Sequence, residues 1–339
     1  MLAPAMTRPA TAFLALLAMS TTAAAEVQEA GSVLVFPVQN DVEARLTIIS
    51  VTNTDTTPAT PASFGGSTLV HYEYLTATRN PDAPFLPTNC VVNNRFEMLT
   101  PADTLSVNVE CHNPALPDQG GYLVATAVAP TGGDWSHNHL TGSLMVLYPS
   151  GAAYSMNAIS LGAIPDAGEL TDLNGNGLLD FDDQEYESLP DFLFADSFIA
   201  VANQNLTLLS LTGRSTDIHT VGLTIWNDNE FPLSATIKFR CWFNEPLARI
   251  SGVFTENFLE NATPNDPEEL DFRCNGVGIL ETGWFRVDSL GVRTPGGFPV
   301  AADGALLGAL TANRFSLFDA GRPLFGSEER QFNGTAVNF

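Results

Sequence analysis

Leu69 to Leu75 reads LVHYEYL, and Leu105 to Cys111 reads LSVNVEC. In both stretches apolar and polar residues alternate one for one. Val70, Tyr72 and Tyr74 fall on one face with His71 and Glu73 on the other, and Leu105, Val107, Val109 and Cys111 oppose Ser106, Asn108 and Glu110. A period of two marks a strand with one buried face, because successive side chains leave the pleat on opposite sides. The device returns in the second half: Ala235, Ile237, Phe239 and Cys241 alternate with Thr236, Lys238 and Arg240, and Leu270, Phe272 and Cys274 with Asp271 and Arg273. Clusters of Gly, Pro, Asn, Asp and Thr separate these runs, and no long amphipathic helical pattern with caps occurs. The chain is expected to be nearly all β.

Short pieces of the first half are echoed in the second in the same order. GSVLVFPVQN from Gly31 matches DSFIAVANQN from Asp196, LTIISVTNTD from Leu46 matches VGLTIWNDNE from Val221, and VHYEYL matches ATIKFRC. Cys90 then matches Cys241, EMLTPADTLSVNVEC matches FLENATPNDPEELDFRC, and GGYLVATAV from Gly120 matches TGWFRVDSL from Thr282. The spacing agrees, since 274 − 111 = 163 for the cysteines and 196 − 31 = 165 for the strand starts. A chain of 339 residues exceeds what one core normally supports. The expectation is a duplication: two tandem antiparallel β-sandwiches over 26–160 and 191–339, joined by a connector at 161–190.

The first half resembles a recurrent kind of uncharacterised exported bacterial protein, through GSVLVFP, LTIISVTNTD, Cys90, LTPADTLSV, GYLVATAV, NHLTGSLMV and YSMNAISL. The resemblance implies immunoglobulin-like sandwiches and no known activity. The VTNTD turn is also similar to turns of extracellular adhesion and scaffold sandwiches, which raises those functions by analogy alone.

Residues 1–25 read as a secretory signal: Arg8 gives the n-region charge, Ala10 to Met19 a short apolar segment, and Ala23-Ala24-Ala25 a cleavage site before Glu26. The apolar segment is too short for a membrane-spanning helix. With 14 Lys+Arg against 38 Asp+Glu the net charge is −24, and after removal of Arg8 it is 13 − 38 = −25. Lys238 is the one lysine. So acidic a surface disfavours binding to nucleic acid or to an anionic membrane, both of which need clustered cations. The expected location is periplasmic, cell-surface or extracellular, where Cys90, Cys111, Cys241 and Cys274 would be oxidised. Of the three connectivities, Cys90–Cys111 and Cys241–Cys274 are favoured because each closes a loop within one half. A zinc site is disfavoured, as no C-x-x-C spacing is present.

The sharpest chemical signal is TDLNGNGLLDFDD, Thr171 to Asp183. Set on the EF-hand loop, Asp172, Asn174 and Asn176 take positions one, three and five, Gly177 the sharp turn at six, Leu178 the backbone carbonyl at seven, Asp180 position nine and Asp183 position twelve. Calcium takes six to eight hard oxygens in flexible geometry, which alternating ligands on a tight loop supply. The loop resembles dockerin-like extracellular loops, where Asp commonly replaces Glu at twelve. Only one loop is present, so docking onto a cohesin does not carry over. The segment predicts calcium as a cofactor of modest affinity, stapling the connector.

Weaker constellations are Asp134 with His137 and His139 as transition-metal ligands, and Glu73 with Glu110 as a glycosidase-like carboxylate pair. Trp226, Trp242 and Trp284 would suit stacking on sugar rings if exposed. No nucleophile elbow, metalloprotease motif or phosphate-binding glycine loop occurs. The favoured function is a calcium-binding structural or adhesive module with a protein or glycan surface partner; a carbohydrate-binding or carbohydrate-cleaving protein is the alternative. An outer-membrane barrel is a further alternative, suggested by the alternation of Thr335, Val337 and the terminal Phe339.

Overall fold

A computed structural model describes residues 29–40, 44, 46–78, 89–113, 120–149, 151, 153–200, 204–227, 230–262, 270–271, 279–301, 304–312, 320–326 and 334–337. The expected signal segment 1–25, Cys274 and Phe339 lie outside them. The first nine strands are β1 (Val33–Phe36), β2 (Leu46–Asn53), β3 (Thr68–Thr78), β4 (Asn89–Leu99), β5 (Thr104–Asn108), β6 (Gly121–Val128), β7 (Leu140–Leu147), β8 (Ala153–Asn157) and β9 (Ile159–Leu161). They form two antiparallel sheets, β4-β3-β6-β1-β9 and β5-β2-β7-β8. The alternation read from the sequence becomes the interior between them: Val70, Tyr72 and Tyr74 meet Ile49, Val51, Leu144 and Val146 in one buried cluster.

Strand β10 (Leu179–Phe181) lies in the connector and pairs with β23 (Gly334–Val337) near the end of the chain. Between them run β11 (Phe192–Ile199), β12 (Gln204–Ser210), β13 (Ile218–Asn227), β14 (Pro232–Phe239), β15 (Trp242–Pro246), β16 (Leu270–Asp271), β17 (Ile279–Leu280), β18 (Thr282–Arg293), β19 (Pro299–Ala301), β20 (Leu306–Ala312), β21 (Ala320–Pro323) and β22 (Phe325–Gly326). The two main sheets here are β14-β13-β18-β11-β22, with β19 added on β18, and β15-β12-β20-β21. Their order repeats that of the first set: β11 takes the place of β1, β12 of β2, β13 of β3, β14 of β4, β15 of β5, β18 of β6, β20 of β7, β21 of β8 and β22 of β9. Of the sequence echoes, GYLVATAV and TGWFRVDSL occupy equivalent strands, β6 and β18. LTIISVTNTD lies in β2 while VGLTIWNDNE lies in β13, the equivalent of β3, so that match is one strand out of step. Neighbouring half-buried strands share one alternation, and a short pattern does not tell them apart.

The strand order differs from the immunoglobulin order in several respects. In that fold the first strand joins the second, the fourth joins the fifth and the seventh joins the sixth. Here the pairs of second with fifth and third with sixth are present, but β1 joins β6, β4 joins β3 and β7 joins β2, and β8 and β9 are added at the sheet edges. None of the described sheets closes into a barrel, against the outer-membrane alternative: β23 pairs with the connector. No helix among the described residues is long and apolar enough to cross a membrane.

All eight residues of β6 are buried, as are all four of β1. A strand buried on both faces needs cover on both, and a second apolar cluster supplies it. Val33, Val35, Leu75, Tyr122 and Val124 meet Leu179, Phe181, Tyr186 and Leu189 of the connector and Leu209, Leu211 and Leu307 of the β12-β20 layer. Two hydrogen bonds cross the same boundary: Tyr122 OH donates to the Ser210 carbonyl at 3.1 Å, and Trp242 Nε1 to the Pro37 carbonyl at 2.9 Å.

The disulfide corrects the favoured connectivity. Cys90 is bonded to Cys241, 151 residues away, with Cα atoms 6.6 Å apart. Both cysteines belong to the cluster between the two sets, not to a sandwich interior. Cys111 is free and exposed, because the strand expected to reach it ends at Asn108, whose side chain accepts from Glu110 N at 3.2 Å and caps the short helix α1 (Val109–His112). Non-reducing peptide mapping of the protein is therefore expected to find Cys90 joined to Cys241 and Cys111 alkylated without reductant. Closing so long a loop stabilises by about 5 kcal/mol in the chain-entropy model, so Cys90→Ser is expected to lower the unfolding midpoint; recovery of a Cys90–Cys111 peptide would contradict this pairing.

Candidate metal centre in the connector

The connector loop is folded by its own side chains. Asp172 Oδ1 accepts from Asn176 N at 3.0 Å and Oδ2 from Gly177 N at 3.0 Å. Asn174 Oδ1 accepts from Asn176 N at 2.9 Å, and Asn176 Oδ1 from Leu178 N at 2.7 Å. These are side-chain mimics of backbone turns, the reason Asx residues suit such loops. Gly177 has φ +71°, a left-handed conformation with open space around it, so conformation alone requires glycine. After Leu178, β10 carries Asp180 back over the loop, and Asp180 Oδ2 accepts from both amides, Asn174 Nδ2 at 2.6 Å and Asn176 Nδ2 at 3.1 Å.

Asp183 does not join this group. Its backbone is left-handed at φ 62°, and its Oδ1 accepts from Ser188 N at 2.8 Å. Asp182 Oδ1 takes the amides of Gln184 and Glu185 at 2.9 and 3.1 Å, a turn that returns Glu185 to the start of the loop. There Glu185 Oε1 accepts from Leu173 N at 2.8 Å and Asn174 N at 3.3 Å. The structure thus joins Asp172, Asn174, Asn176 and Asp180 by hydrogen bonds, and it is Glu185, not Asp183, whose carboxylate returns to the loop amides. Glu185 lies outside the twelve-residue frame, so the motif could not name it; the one sequence signal is that Asp180-Phe181 and Glu185-Tyr186 repeat an acid followed by an aromatic.

Two oxygens of this group test whether it fits a cation. Asp180 and Glu185 are 4% and 2% exposed, and Asp180 Oδ1 and Glu185 Oε2 are buried with no hydrogen-bond partner. Burial raises the Glu185 carboxyl pKa above its usual range; the Leu173 and Asn174 amides oppose the shift, and the charges of Asp180 and Asp172 add to it. Unpaired buried carboxylate oxygens are costly, and a hard cation would complete them. The donors are oxygens throughout, which suits calcium rather than a softer metal. Among the described residues no three His, Cys, Asp or Glu side chains gather as a metal site, so Asp172, Asp180 and Glu185 do not stand together as three carboxylate ligands; the amide nitrogens of Asn174 and Asn176 meet Asp180.

Of the other candidates, His137 and His139 stay neighbours, with ring centroids 5.1 Å apart. His137 Nε2 meets Asn53 Oδ1 at 3.1 Å, its ring stacks on Trp135, and burial, with His139 adding, takes its pKa down to about 4. Asp134 turns toward the connector, its carbonyl accepting from Thr171 N at 3.0 Å. Glu73 and Glu110 do not face each other: Glu73 lies on β3 opposite Asn94, and Glu110 on α1, beyond a strand of the other sheet. Trp242 sits between the two sets, whereas Trp226 and Trp284 stack face to face with centroids 4.0 Å apart and Trp284 is 39% exposed. No protein-family model matches this chain, and no curated protein matches it.

Glu73 marks the edge of this acidic region. Burial, with the charge of Asp134 adding, takes its pKa up to about 7; burial, with Asp172 adding, takes Asp134 up to about 6. A carboxyl whose folded pKa is raised binds more protons folded than unfolded, so stability falls as pH rises from about 4.5 through about 7. Glu73→Gln is expected to raise the unfolding midpoint above pH 7, by about 1–3 kcal/mol in stability, and to leave it unchanged near pH 4. Melts in chelator across this range check it; equal midpoints at pH 8 would contradict the buried charge.

Proposed function

We propose that this chain is an exported calcium-binding protein of two tandem sandwiches, serving as a cell-surface or extracellular structural and adhesive interaction module whose connector is stapled by the ion. The sandwiches are two copies of one unit, whose strand order departs from the immunoglobulin fold at its first, fourth and seventh strands. The observation that carries the calcium reading is the pair of buried, partnerless oxygens, one on Asp180, whose other oxygen accepts from Asn174 and Asn176, and one on Glu185, whose other oxygen accepts from the loop amides. Asp172, Asn174, Asn176 and Asp180 would hold the ion, with the Leu178 carbonyl as in EF-hand loops. Calcium supplies positive charge to oxygens that the fold has taken out of water. Export is supported by the N-terminal segment and by the disulfide, which needs an oxidising compartment.

The role as staple follows from position. Phe181 and Tyr186, next in sequence to Asp180 and Glu185, are buried in the cluster between the two sets, with ring centroids 5.9 Å apart. Tyr186 OH also shares a hydrogen bond with Thr171 Oγ1 at 2.8 Å, one residue before the loop. At free calcium 100-fold above its dissociation constant, linkage stabilises by about 2.7 kcal/mol. The wild type is expected to melt a few degrees higher with calcium than with chelator, and Asp172→Ala to show no shift. Equal midpoints for the wild type in both conditions would remove the staple.

A carbohydrate-binding reading is favoured by one observation, the stacked Trp226 and Trp284 on β13 and β18 with Arg286 hydrogen-bonded to Asp288 two residues along. An exposed indole beside a polar pair suits a sugar ring. Binding on a glycan array, lost in Trp284→Ala, is the result this reading requires; silence across the array would set it aside.

A further inference from the structure

We infer that the calcium loop is closed by Glu185, the fourteenth residue counted from Asp172, and that Asp183 at the twelfth is a structural cap and not a ligand. The inference rests on the calcium reading above and concerns which carboxylate completes the site. In the twelve-residue frame the last position supplies the closing acid. Here the carboxylate of Asp183 is committed elsewhere, accepting from Ser188 N at 2.8 Å, and its amide donates to the Tyr186 carbonyl at 2.9 Å. The Asp182 turn then inserts two residues before the chain comes back to the loop.

What comes back is Glu185, one methylene longer than aspartate and 2% exposed. Its Oε1 is held by the amides of Leu173 and Asn174, between the first and third positions of the loop, while Oε2 is buried without a partner, as is Asp180 Oδ1. The backbone of Glu185 is fixed as well, its carbonyl accepting from Ile164 N at 2.9 Å. A carboxylate anchored through one oxygen and unsatisfied at the other is a preorganised cation ligand: the folded chain carries the cost of the unpaired oxygen, and an ion recovers it. Counting Glu185 in place of Asp183 leaves the segment with three acids, Asp172, Asp180 and Glu185, the number the motif has with Asp183 in the last place.

Titration of the full exported chain with calcium chloride, followed by calorimetry, tests this with Glu185→Gln, Asp183→Asn and Asp172→Ala, each also melted in chelator. Glu185→Gln is expected to weaken calcium binding at least about tenfold and yet to melt at or above the wild type in chelator, because it removes a buried unpaired charge. Asp183→Asn is expected to keep wild-type affinity. A tenfold loss in Asp183→Asn with Glu185→Gln unchanged would overturn the assignment and leave the calcium loop standing. A Glu185→Gln variant destabilised equally in calcium and chelator would make Glu185 purely structural, which also overturns it. Absence of binding by the wild type itself would overturn the calcium reading and this inference together.

Discussion

The two-faced burial of β1 and β6 is the constraint on which the arrangement depends. Their inward residues fill the first sandwich, and their outward residues, Val33, Val35, Tyr122 and Val124 among them, are equally apolar. A sheet of this kind is unstable with one face in water, since each fully exposed Val or Leu forfeits about 1.5–3 kcal/mol of burial. Cover comes from two sources, the connector and the four-stranded layer of the second set, and both follow from the first requirement. The Cys90–Cys241 bond lies in that same cover and joins the sets at their shared boundary.

The acidic loop gains its meaning from the same boundary. Loops with Asx turns are common and most are solvated, but this one is tied at both ends to aromatics of the inter-set cluster through Asp180-Phe181 and Glu185-Tyr186. Burial of those rings draws the adjacent carboxylates out of water, leaving Asp180 Oδ1 and Glu185 Oε2 without partners. The proposed ion would settle that imbalance, so its binding energy would appear as stability of the junction. Further out, Asp134 and Glu73 extend the run of crowded acids onto β3, each raised in pKa first by burial and then by the next acid.

Much of this was legible from single residues. Alternation at Val70, Tyr72 and Tyr74 and at Ala235, Ile237 and Phe239 located strands because one buried face leaves a period of two. The two-sided burial of β6 was not read from GYLVATAV, whose apolar run is interrupted only by Thr126. Asx spacing located the loop. What escaped depended on long-range placement: which two cysteines meet is settled by the packing of one set on the other, and favouring short loops misassigned it. Asn108 ended its strand early through a local cap that alternation does not register. The sheet that each of β1 and β7 joins left no trace in the periodicity, since a strand alternates identically in either sheet. Glu185 was hidden because a motif counts along the chain, and a turn at Asp182 changes which residue arrives.

Hydrogen exchange with calcium and with chelator, read at the amides of residues 179–189 against those of β2 and β7, tests the coupling of loop to junction most directly. The account predicts that calcium slows exchange over 179–189 and on the facing strands β1 and β6, while β2 and β7, on the far side of the first sandwich, stay unchanged. Exchange over 179–189 that is identical in the two conditions would contradict it.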